Sequence, residues 1–278
     1  GRVRVYKYKS NNWSKLGRDI DGEAASDFFG RSVSLSADGL IVAIGANGND
    51  GNGPNSGHVR MYKYKSNGWS QLGRDIVGEA TNDESGNSVS LSADGQIVAI
   101  GALRYDGNVG RESGSVQIYK YESNDWSKLG SDIVGEATLD VSGSSVSLSA
   151  DGLIVAIGAY GHDGSRGHVR VYTYESEDWS QLGSDIDGKW TNDYSGTSVS
   201  LSADGHTVAI GGIGGYGSVR MYKYQSNDWS QLGTDIRGDL NDLTGESVSL
   251  SADGMIVAIG SPHNNFNSKR RGRVRVYK

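Results

Sequence analysis

The sequence predicts an all-β protein built from five copies of one module, and three observations lead to this prediction. The stretch at residues 32–46 returns in close copies that begin at Ser88, Ser145, Ser198 and Ser247. Four tryptophans outside it recur about every 50 residues, the period of a repeat that contains several strands. The chain also has 42 glycines but only 2 prolines, a composition typical of many tight turns.

Each module begins with a β-hairpin. In the first copy, Val33 and Leu35 alternate with serines, which is the period of a strand with one apolar face. Asp38-Gly39 then supplies a tight turn, and residues 41–44 form an apolar run typical of a strand covered on both faces. A helix is a poor alternative, because the run is short, β-branched and bracketed by glycine.

Two further elements complete the module. A divergent loop is followed by a strand such as residues 59–64 and by a segment that contains a recurrent tryptophan, such as Trp69. Four strands per period are typical of a propeller blade, because a sheet with two apolar faces is covered only when blades pack around an axis. The sequence therefore predicts a single domain over residues 1–278, a five-bladed β-propeller of four-stranded antiparallel blades.

The closure of the ring is open to more than one interpretation, because residues 1–7 are identical to residues 272–278 and one copy of this strand is surplus. We expect residues 3–20 to complete the blade that begins at residues 247–260, so that the N- and C-terminal strands pair and remove an open edge. In the alternative, residues 272–278 keep that place and only the Trp13 strand comes from the N-terminus. In either scheme one copy of the strand is surplus, and it is displaced, exchanged with a neighbouring molecule, or evidence that the chain was cut from a longer array.

Composition excludes several classes of function. With no cysteine, the chain has neither disulfides nor zinc-thiolate sites, and its net charge of −6 does not favour nucleic acid. No apolar run approaches the roughly 20 residues that span a bilayer, so direct membrane insertion is not expected. The chain begins at Gly1 without a signal peptide, so we expect a processed product or a fragment. Nucleophile-elbow, phosphate-loop and zinc-protease motifs are absent, and no cofactor is expected.

Dipeptides around the hairpins carry a family resemblance. Phe29-Gly30, the Ser-Gly pairs beginning at Ser85, Ser142 and Ser195, and the Gly-Ala pairs beginning at Gly45, Gly101 and Gly158 resemble FG-GAP repeats, as in integrin α subunits. The resemblance implies an extracellular or cell-surface propeller that binds a glycan or protein ligand without catalysis. The alternatives are a structural spacer in a larger repetitive surface protein and, more distantly, a carbohydrate-active enzyme.

The chain departs from many FG-GAP blades in its hairpin turns. Those blades resemble integrins in carrying a calcium loop, whereas here a lone carboxylate precedes glycine in each turn, at Asp38, Asp94, Asp151, Asp204 and Asp253. One carboxylate in a short turn does not supply the several oxygen ligands of calcium. We therefore expect the calcium-free variety, without a metal site, and turn aspartates that bind their own backbone.

A second recurrent acid precedes each inner strand, at Asp27, Asp83, Asp140, Asp193 and Asp242. One hypothesis is an axial ring of carboxylates that binds a cation or a polyol. The other is that each accepts hydrogen bonds from the following Ser-Gly turn, which recurrence in every blade favours. Glycoside hydrolysis needs one carboxyl group that acts as a general acid and a second with a different role. These five aspartates occupy nearly equivalent positions, so the sequence does not distinguish two such roles among them.

Loops that differ between modules are the best candidates for recognition. They begin at Asn47, Leu103, Tyr160, Ile213 and Pro262. Aromatic rings beside carboxylates suit sugars, so candidate ligand-binding residues in three of these loops are Asp50, Arg104, Tyr105, Asp106, Tyr160, His162 and Asp163. Trp190 and Tyr194 interrupt the fourth module and are candidate anchors.

Basic and histidine residues give weaker signals. Residues 269–271, continued by Arg273 and Arg275, form a short basic run that we interpret as a solvated loop. His58 and His168 occupy the same strand-edge position in two modules, and no histidine has a second histidine at metal-ligand spacing in the sequence.

Overall fold

The computed structural model describes residues 1–66, 68–240, 242–263 and 272–278. It confirms the all-β fold with five blades in a propeller arrangement. The divergent loop after Pro262 and the basic run at residues 269–271 lie largely or wholly outside the described residues. In the part of the chain that is described, no helix has the length and apolar character needed to cross a bilayer.

The strands follow one order along the chain. The N-terminal segment has β1 (Arg2–Val3) paired with β4 (Ile20–Asp21), and β2 (Tyr6–Lys9) paired with β3 (Asn12–Lys15). The first blade contains β5 (Ser32–Leu35), β6 (Ile41–Ala46), β7 (His58–Lys65), β8 (Gly68–Gln71) and β9 (Ile76–Val77). The second blade contains β10 (Ser85–Leu91), β11 (Ile97–Ala102), β12 (Ser115–Glu122), β13 (Asp125–Lys128) and β14 (Ile133–Val134).

The later blades repeat this order. The third blade contains β15 (Ser145–Leu148), β16 (Ile154–Ala159), the short helical segment α1 (His162–Ser165), β17 (His168–Glu175), β18 (Asp178–Gln181) and β19 (Ile186–Asp187). The fourth contains β20 (Ser195–Leu201), β21 (Thr207–Gly212), β22 (Ser218–Gln225) and β23 (Asp228–Arg237). The fifth has three described strands, β24 (Ser247–Leu250), β25 (Val257–Ser261) and β26 (Arg273–Tyr277).

The hydrophobic core lies between the blades. Every residue of β6 is buried, as its continuous apolar run predicts. On the second blade, Leu91, Val98 and Ile100 join one buried cluster with Val59 and Met61 of the first. Each sheet thus covers an apolar face of its neighbour, which a single sheet cannot do for itself.

The same hydrogen bonds recur at successive blade junctions. At the first junction, the Leu91 amide donates to Ser34 Oγ at 3.0 Å, and the Ala37 amide donates to the Ala93 carbonyl at 2.8 Å. The Leu–Ser bond returns from Leu148 to Ser90, from Leu201 to Ser147 and from Leu250 to Ser200. Strand serines therefore act as hydrogen-bond acceptors between sheets, not only as the polar face of a hairpin.

Tryptophan indoles add a second tie between neighbouring blades. Trp126 Nε1 donates to the Leu72 carbonyl of the first blade at 2.8 Å. The equivalent bonds join Trp69 to Leu16, Trp179 to Leu129 and Trp229 to Leu182. Trp13 belongs to the same series, but its side chain is 65% exposed.

The hairpin aspartates confirm the turn prediction. Asp38 Oδ1 accepts hydrogen bonds from Ser36 Oγ at 2.6 Å and from the Leu40 amide at 2.9 Å. These two bonds lower the pKa of Asp38, because both favour the carboxylate over the acid. Asp94, Asp151, Asp204 and Asp253 bind their own turns in the same way.

The terminal strands do not pair as the sequence led us to expect. The C-terminal strand β26 pairs with β25, and the described N-terminal strands pair only with one another. Because β26 follows β25 in the chain, their pairing closes a shorter loop and costs less chain entropy than recruiting a strand from the far terminus. The alternative scheme is right that residues 272–278 keep their place in the fifth blade. Its other part is wrong, because β3, which contains Trp13, pairs only with β2 among the described residues.

The N-terminal segment packs on the first blade instead. Ile20 lies in a buried cluster with Phe29 and Ile44, and Val3 packs against it. Gly1 lies against the backbone of Phe29, as Gly57 lies against that of Ser85 one module later. The segment therefore has the position of the outer half of a further blade preceding the first.

Among the residues that the structure describes, parts of two blade faces remain exposed. Val33 and Leu35 are 55% and 49% exposed, whereas Leu91, at the position of Leu35 in the second blade, is only 8% exposed. On the fifth blade, Val274 and Val276 are exposed as well. Among the described residues, no Leu–Ser junction bond joins the fifth blade to the first. The five blades thus form four junctions and leave two end faces.

Replacement of an indole tie should weaken one junction. We expect Trp126→Phe to lower the free energy of unfolding by about 1–2 kcal/mol, because the bond to the Leu72 carbonyl is lost from a buried interface. Urea denaturation followed by circular dichroism measures the change. Trp13→Phe is the matched control, expected within about 0.5 kcal/mol of the wild type because that side chain is exposed. Equal losses for the two variants would contradict the role given to the tie.

Candidate functional site

The aspartates that precede each inner strand lie inside the blades. Their exposure is 6% for Asp27, 3% for Asp83, 1% for Asp140, 5% for Asp193 and 1% for Asp242. They do not form an exposed axial ring.

Their hydrogen bonds also differ from those expected. Asp83 Oδ2 accepts from the Ala80 amide at 2.8 Å, and Asp140 Oδ2 accepts from the Glu136 and Ala137 amides. Asp193 and Asp242 accept in the same way from the amides of Lys189 and Asp239. These partners belong to the turn before the aspartate, not to the Ser-Gly turn after it, because the chain curls back over the carboxylate there. Burial raises the pKa of Asp83, despite the bond from Ala80.

The acidic residues of the divergent loops mainly shape their own loops. Asp50 Oδ1 accepts from the Asn55 amide at 2.8 Å, and Asp106 Oδ1 accepts from the Glu112 amide at 2.7 Å. Asp163 has a left-handed φ of 46° inside α1, and its carboxylate lies 3.3 Å from Arg166.

Some of the other loop candidates lie near one another. Arg104 Nε lies 3.2 Å from Glu84 Oε1. The rings of Tyr160 and Tyr194 are neighbours, with centroids 6.5 Å apart. Burial raises the pKa of Tyr105 and of Tyr160. Because the Arg104 charge also acts on Tyr160, the structure brings Arg104, Tyr160 and Tyr194 near one another.

The fourth blade contains a buried charge network. Arg220 is 2% exposed, and its Nη1 lies 2.7 Å from Asp193 Oδ2 while its Nε lies 3.4 Å from Asp235. Lys189 Nζ lies 2.6 Å from the same Asp235 carboxylate. Burial opposes ionisation of Asp235, but the bonds from Lys189 and Gln231 and the Arg220 charge hold its pKa well below its usual range.

The network supports an aromatic cleft on the surface of this blade. Two cations lie near the Trp190 ring, with the guanidinium carbons of Arg220 and Arg237 at 5.6 and 5.0 Å from its centroid. Trp190 and Tyr216 remain 53% and 55% exposed. They line a cleft of about 310 Å³ together with Thr191, Asn192, Gly214 and Arg237. We call this the Trp190 cleft.

The sequence predicts only part of the Trp190 cleft. Trp190 stands where the first three blades have alanine, which is why it was recognisable as an irregularity. Tyr216 was missed, although it occupies the place that the first three loops give to aspartate, in a short glycine-rich loop that leaves the ring exposed. Tyr194, the other predicted anchor, packs near Tyr160 instead.

Two groups of side chains have the donors and spacing to hold a cation. One contains Glu136, His162 and His168 of the third blade, and the other contains Glu23, His58 and Asp75 of the first. The rings of His162 and His168 stack with centroids 4.0 Å apart, although the two residues do not show a metal-ligand spacing in the sequence. Burial, His162 and Arg170 together lower the pKa of His168 to about 4, so that its imidazole is neutral at pH 7.

Removal of the Arg220 guanidinium should destabilise the fourth blade strongly. We expect Arg220→Gln to lower the free energy of unfolding by about 3–5 kcal/mol, because Asp193 and Asp235 lose a buried cation. The lowered pKa of Asp235 contributes stability above the unfolded pKa of about 3.9, and this contribution is lost as the pH falls through the folded value. The gap between variant and wild type should therefore narrow below about pH 4.

The N-terminal segment supplies the matched control. Arg4 pairs with Asp19 at 3.1 Å, but its side chain is half exposed, so Arg4→Gln should cost less than about 1 kcal/mol. Denaturant titrations of both variants between neutral and acidic pH give the comparison. A loss for Arg220→Gln as small as that for Arg4→Gln would show that the network does not support the blade.

The repeats and the fold of the chain are similar to those of known proteins. The FG-GAP repeat family matches residues 20–62 and 78–119. The chain is similar in structure to TolB from Acinetobacter baumannii, with a TM-score of 0.51 and 13% identity over 89% of this chain and 54% of that one. It is also similar to the periplasmic gluconolactonase PpgL of Pseudomonas aeruginosa, with a TM-score of 0.60 and 18% identity over 92% of this chain and 70% of that one.

The two structural similarities are evidence for the fold and not for a function. At such identities, the two structures show the propeller fold alone, and the chain spans only 54% of the length of TolB. No curated protein sequence matches the chain significantly.

Proposed function

Because this chain is an FG-GAP repeat propeller, we propose that it is a non-enzymatic binding module that recognises a glycan through the Trp190 cleft. The observation that carries the proposal is the pair of exposed aromatic rings, Trp190 and Tyr216, in one cleft. A ligand that binds in this cleft would therefore contact the fourth blade and not the other four.

The chemistry of the cleft suits a sugar. Aromatic faces stack against the CH groups of a pyranose, while amide and guanidinium groups donate to its hydroxyls. Trp190 and Tyr216 offer the first kind of surface, and Asn192 and Arg237 offer the second. The buried Arg220 beside the Trp190 ring restricts its orientation, so less conformational freedom is lost on binding.

A site of action outside the cytoplasm is part of this proposal. FG-GAP propellers of the integrin type imply an extracellular or cell-surface protein, and one structurally similar protein is periplasmic. The absence of cysteine does not conflict with such a location.

Trp190→Ala provides the direct test. Alanine is the residue that the first three blades carry at this position, as Ala24, Ala80 and Ala137, so the fold should tolerate the change. We expect the affinity for a glycan selected on an array to fall by about 30-fold or more, because a stacking anchor contributes about 2 kcal/mol or more. Isothermal titration calorimetry of both proteins measures the loss.

Trp13→Ala is the control, because Trp13 is also exposed but lies outside the cleft. It should bind the same glycan as tightly as the wild type. Unchanged glycan binding by Trp190→Ala would contradict the proposed site. Turnover of a polysaccharide by the wild-type protein would overturn the non-enzymatic assignment and favour a carbohydrate-active enzyme.

A second candidate function, a structural module that associates with further copies of itself, is favoured by the two end faces. Val33 and Leu35 on the first blade and Val274 and Val276 on the fifth expose apolar surface. Each end face presents half of the junction that the molecule forms between its neighbouring blades. A second copy of this chain, packed head to tail, would supply the missing half.

The duplicated terminal strand fits such an assembly. In a head-to-tail contact, the N-terminal segment of one copy approaches the position of β26 in the other, because each corresponds to the outer part of a blade. Residues 1–7 and 272–278 are identical, so either strand can complete the sheet with little difference in side-chain packing. Strand exchange between copies is the expected form of self-association.

Engineered cysteines can test the head-to-tail contact, because the chain has no native cysteine. Ser249 and Leu35 are related across the two end faces as Ser34 and Leu91 are related across an existing junction. We expect the Ser249→Cys/Leu35→Cys protein to form disulfide-linked oligomers on oxidation, read on non-reducing gels and by light scattering. Monomers containing an internal disulfide would show a closed ring, and the absence of cross-linking would likewise contradict the assembly.

The Ser34→Cys/Leu91→Cys protein is the matched control. Its two positions already adjoin within one chain, so it should form an internal disulfide and no disulfide-linked oligomers on the non-reducing gel.

A further inference from the structure

The third blade contains a buried histidine whose polar atoms have no partner. His168 begins β17 and is 0% exposed, and among the described residues neither ring nitrogen forms a hydrogen bond. Asp185 Oδ2 lies 3.9 Å from His168 Nδ1, which is beyond hydrogen-bonding distance. A buried polar ring without partners is destabilising, so its presence calls for a physical reason.

His162 faces this ring and is held in a fixed orientation. The two imidazoles stack with an interplanar angle of 21°. His162 Nδ1 lies 3.0 Å from Asp140 Oδ1, while Asp140 Oδ2 accepts from the Glu136 and Ala137 amides. A carboxylate on one ring nitrogen fixes the tautomer and leaves the other nitrogen with its lone pair available, as in many histidine ligands of metals.

Glu136 supplies an oxygen donor to the same place. One ligand atom from each of Glu136, His162 and His168 lies within 4.8 Å of the others. The Glu136 carboxylate is shared with Arg170, whose Nη1 lies 2.9 Å away and whose Nη2 donates to the Val134 carbonyl. The charged groups that act on His168 or belong to this cluster are the carboxylates of Glu136, Asp140 and Asp185 and the guanidinium of Arg170, and their sum favours a positive ion.

We propose that Glu136, His162 and His168 form a binding site for a divalent transition-metal ion, with zinc the best fit. Two imidazoles and one carboxylate are a ligand set typical of zinc, whereas calcium requires more oxygen atoms. Tetrahedral zinc needs ligand atoms about 3.3 Å apart, so atoms within 4.8 Å of one another must approach by at most about 1.5 Å. His162 is partly exposed on the short segment α1, which gives the ion access from solvent.

The first blade lacks the second histidine that the third blade has at this site. Its corresponding group, Glu23, His58 and Asp75, contains one histidine, and Arg60 contacts both carboxylates. Asn49 stands at the position of His162, and its amide donates to Asp27 at 2.9 Å. The same scaffold thus exists with one imidazole and with two, and only the third blade offers the pair.

Zinc titration of the full chain tests the site, and the repeats themselves supply the variants. His162→Asn installs the residue of the first blade, Asn49, and His168→Ser installs that of the second, Ser115. We expect the wild-type protein to bind one zinc ion by calorimetry and each variant to bind it at least about 10–100-fold more weakly. His58→Ser is the control and should leave this binding unchanged. Circular dichroism verifies that each variant is folded.

Cobalt(II) gives a second measurement on the unaltered protein. Cobalt in a tetrahedral site has intense visible absorption, whereas the hydrated ion is octahedral and only weakly coloured. We expect the wild-type protein with cobalt to show the tetrahedral spectrum and zinc to displace it. An octahedral spectrum, zinc binding unchanged in His162→Asn, or binding lost only in His58→Ser would each overturn the proposal.

Discussion

The structure depends on one constraint, which is that each blade is a thin sheet with two apolar faces. A strand such as β6 is buried along its entire length only because sheets lie on both sides of it. The junction that meets this constraint is specific as well as apolar. Strand serines, the Ala–Ala backbone bond and the tryptophan indoles set the offset between neighbouring sheets.

Function is expected where this repetition breaks down. The aspartates of the hairpin turns accept from the amides of their own turns, and four of the five before the inner strands accept from amides of the preceding turn, which identifies them as parts of the scaffold. The fourth blade replaces Glu-Ala by Lys189-Trp190, and the third pairs His162 with His168. Both departures rest on buried groups of the same blade, Arg220 in one case and Asp140 in the other. A uniform framework can therefore carry different sites without altering its junctions.

The sequence was sufficient to predict what local patterns determine. The alternation at Val33 and Leu35, the Asp38-Gly39 turn and the fivefold repeat led directly to the hairpins and to the blades. It could not determine which of two identical terminal strands would join the fifth blade, because chain connectivity decides between equal sequences. The partners of the aspartates before the inner strands were also misjudged, since they depend on how the preceding turn folds back.

The candidate sites were harder to predict, because they depend on contacts through space. Trp190 was visible as an irregularity, but nothing in the sequence placed Tyr216 and Arg237 beside it. The stacking of His162 on His168 likewise arises from the path of α1 into β17, and not from a recognised motif.

The two uncovered end faces have a consequence for cooperativity. In a closed circle every blade has two neighbours, and none can separate without breaking two contacts. In an open arrangement, the first and the fifth blade each have only one neighbouring blade, and the five sheets behave as a one-dimensional stack. Such a stack frays from its termini, so amide hydrogens of the first and fifth blades should exchange through partial openings that leave the central three intact.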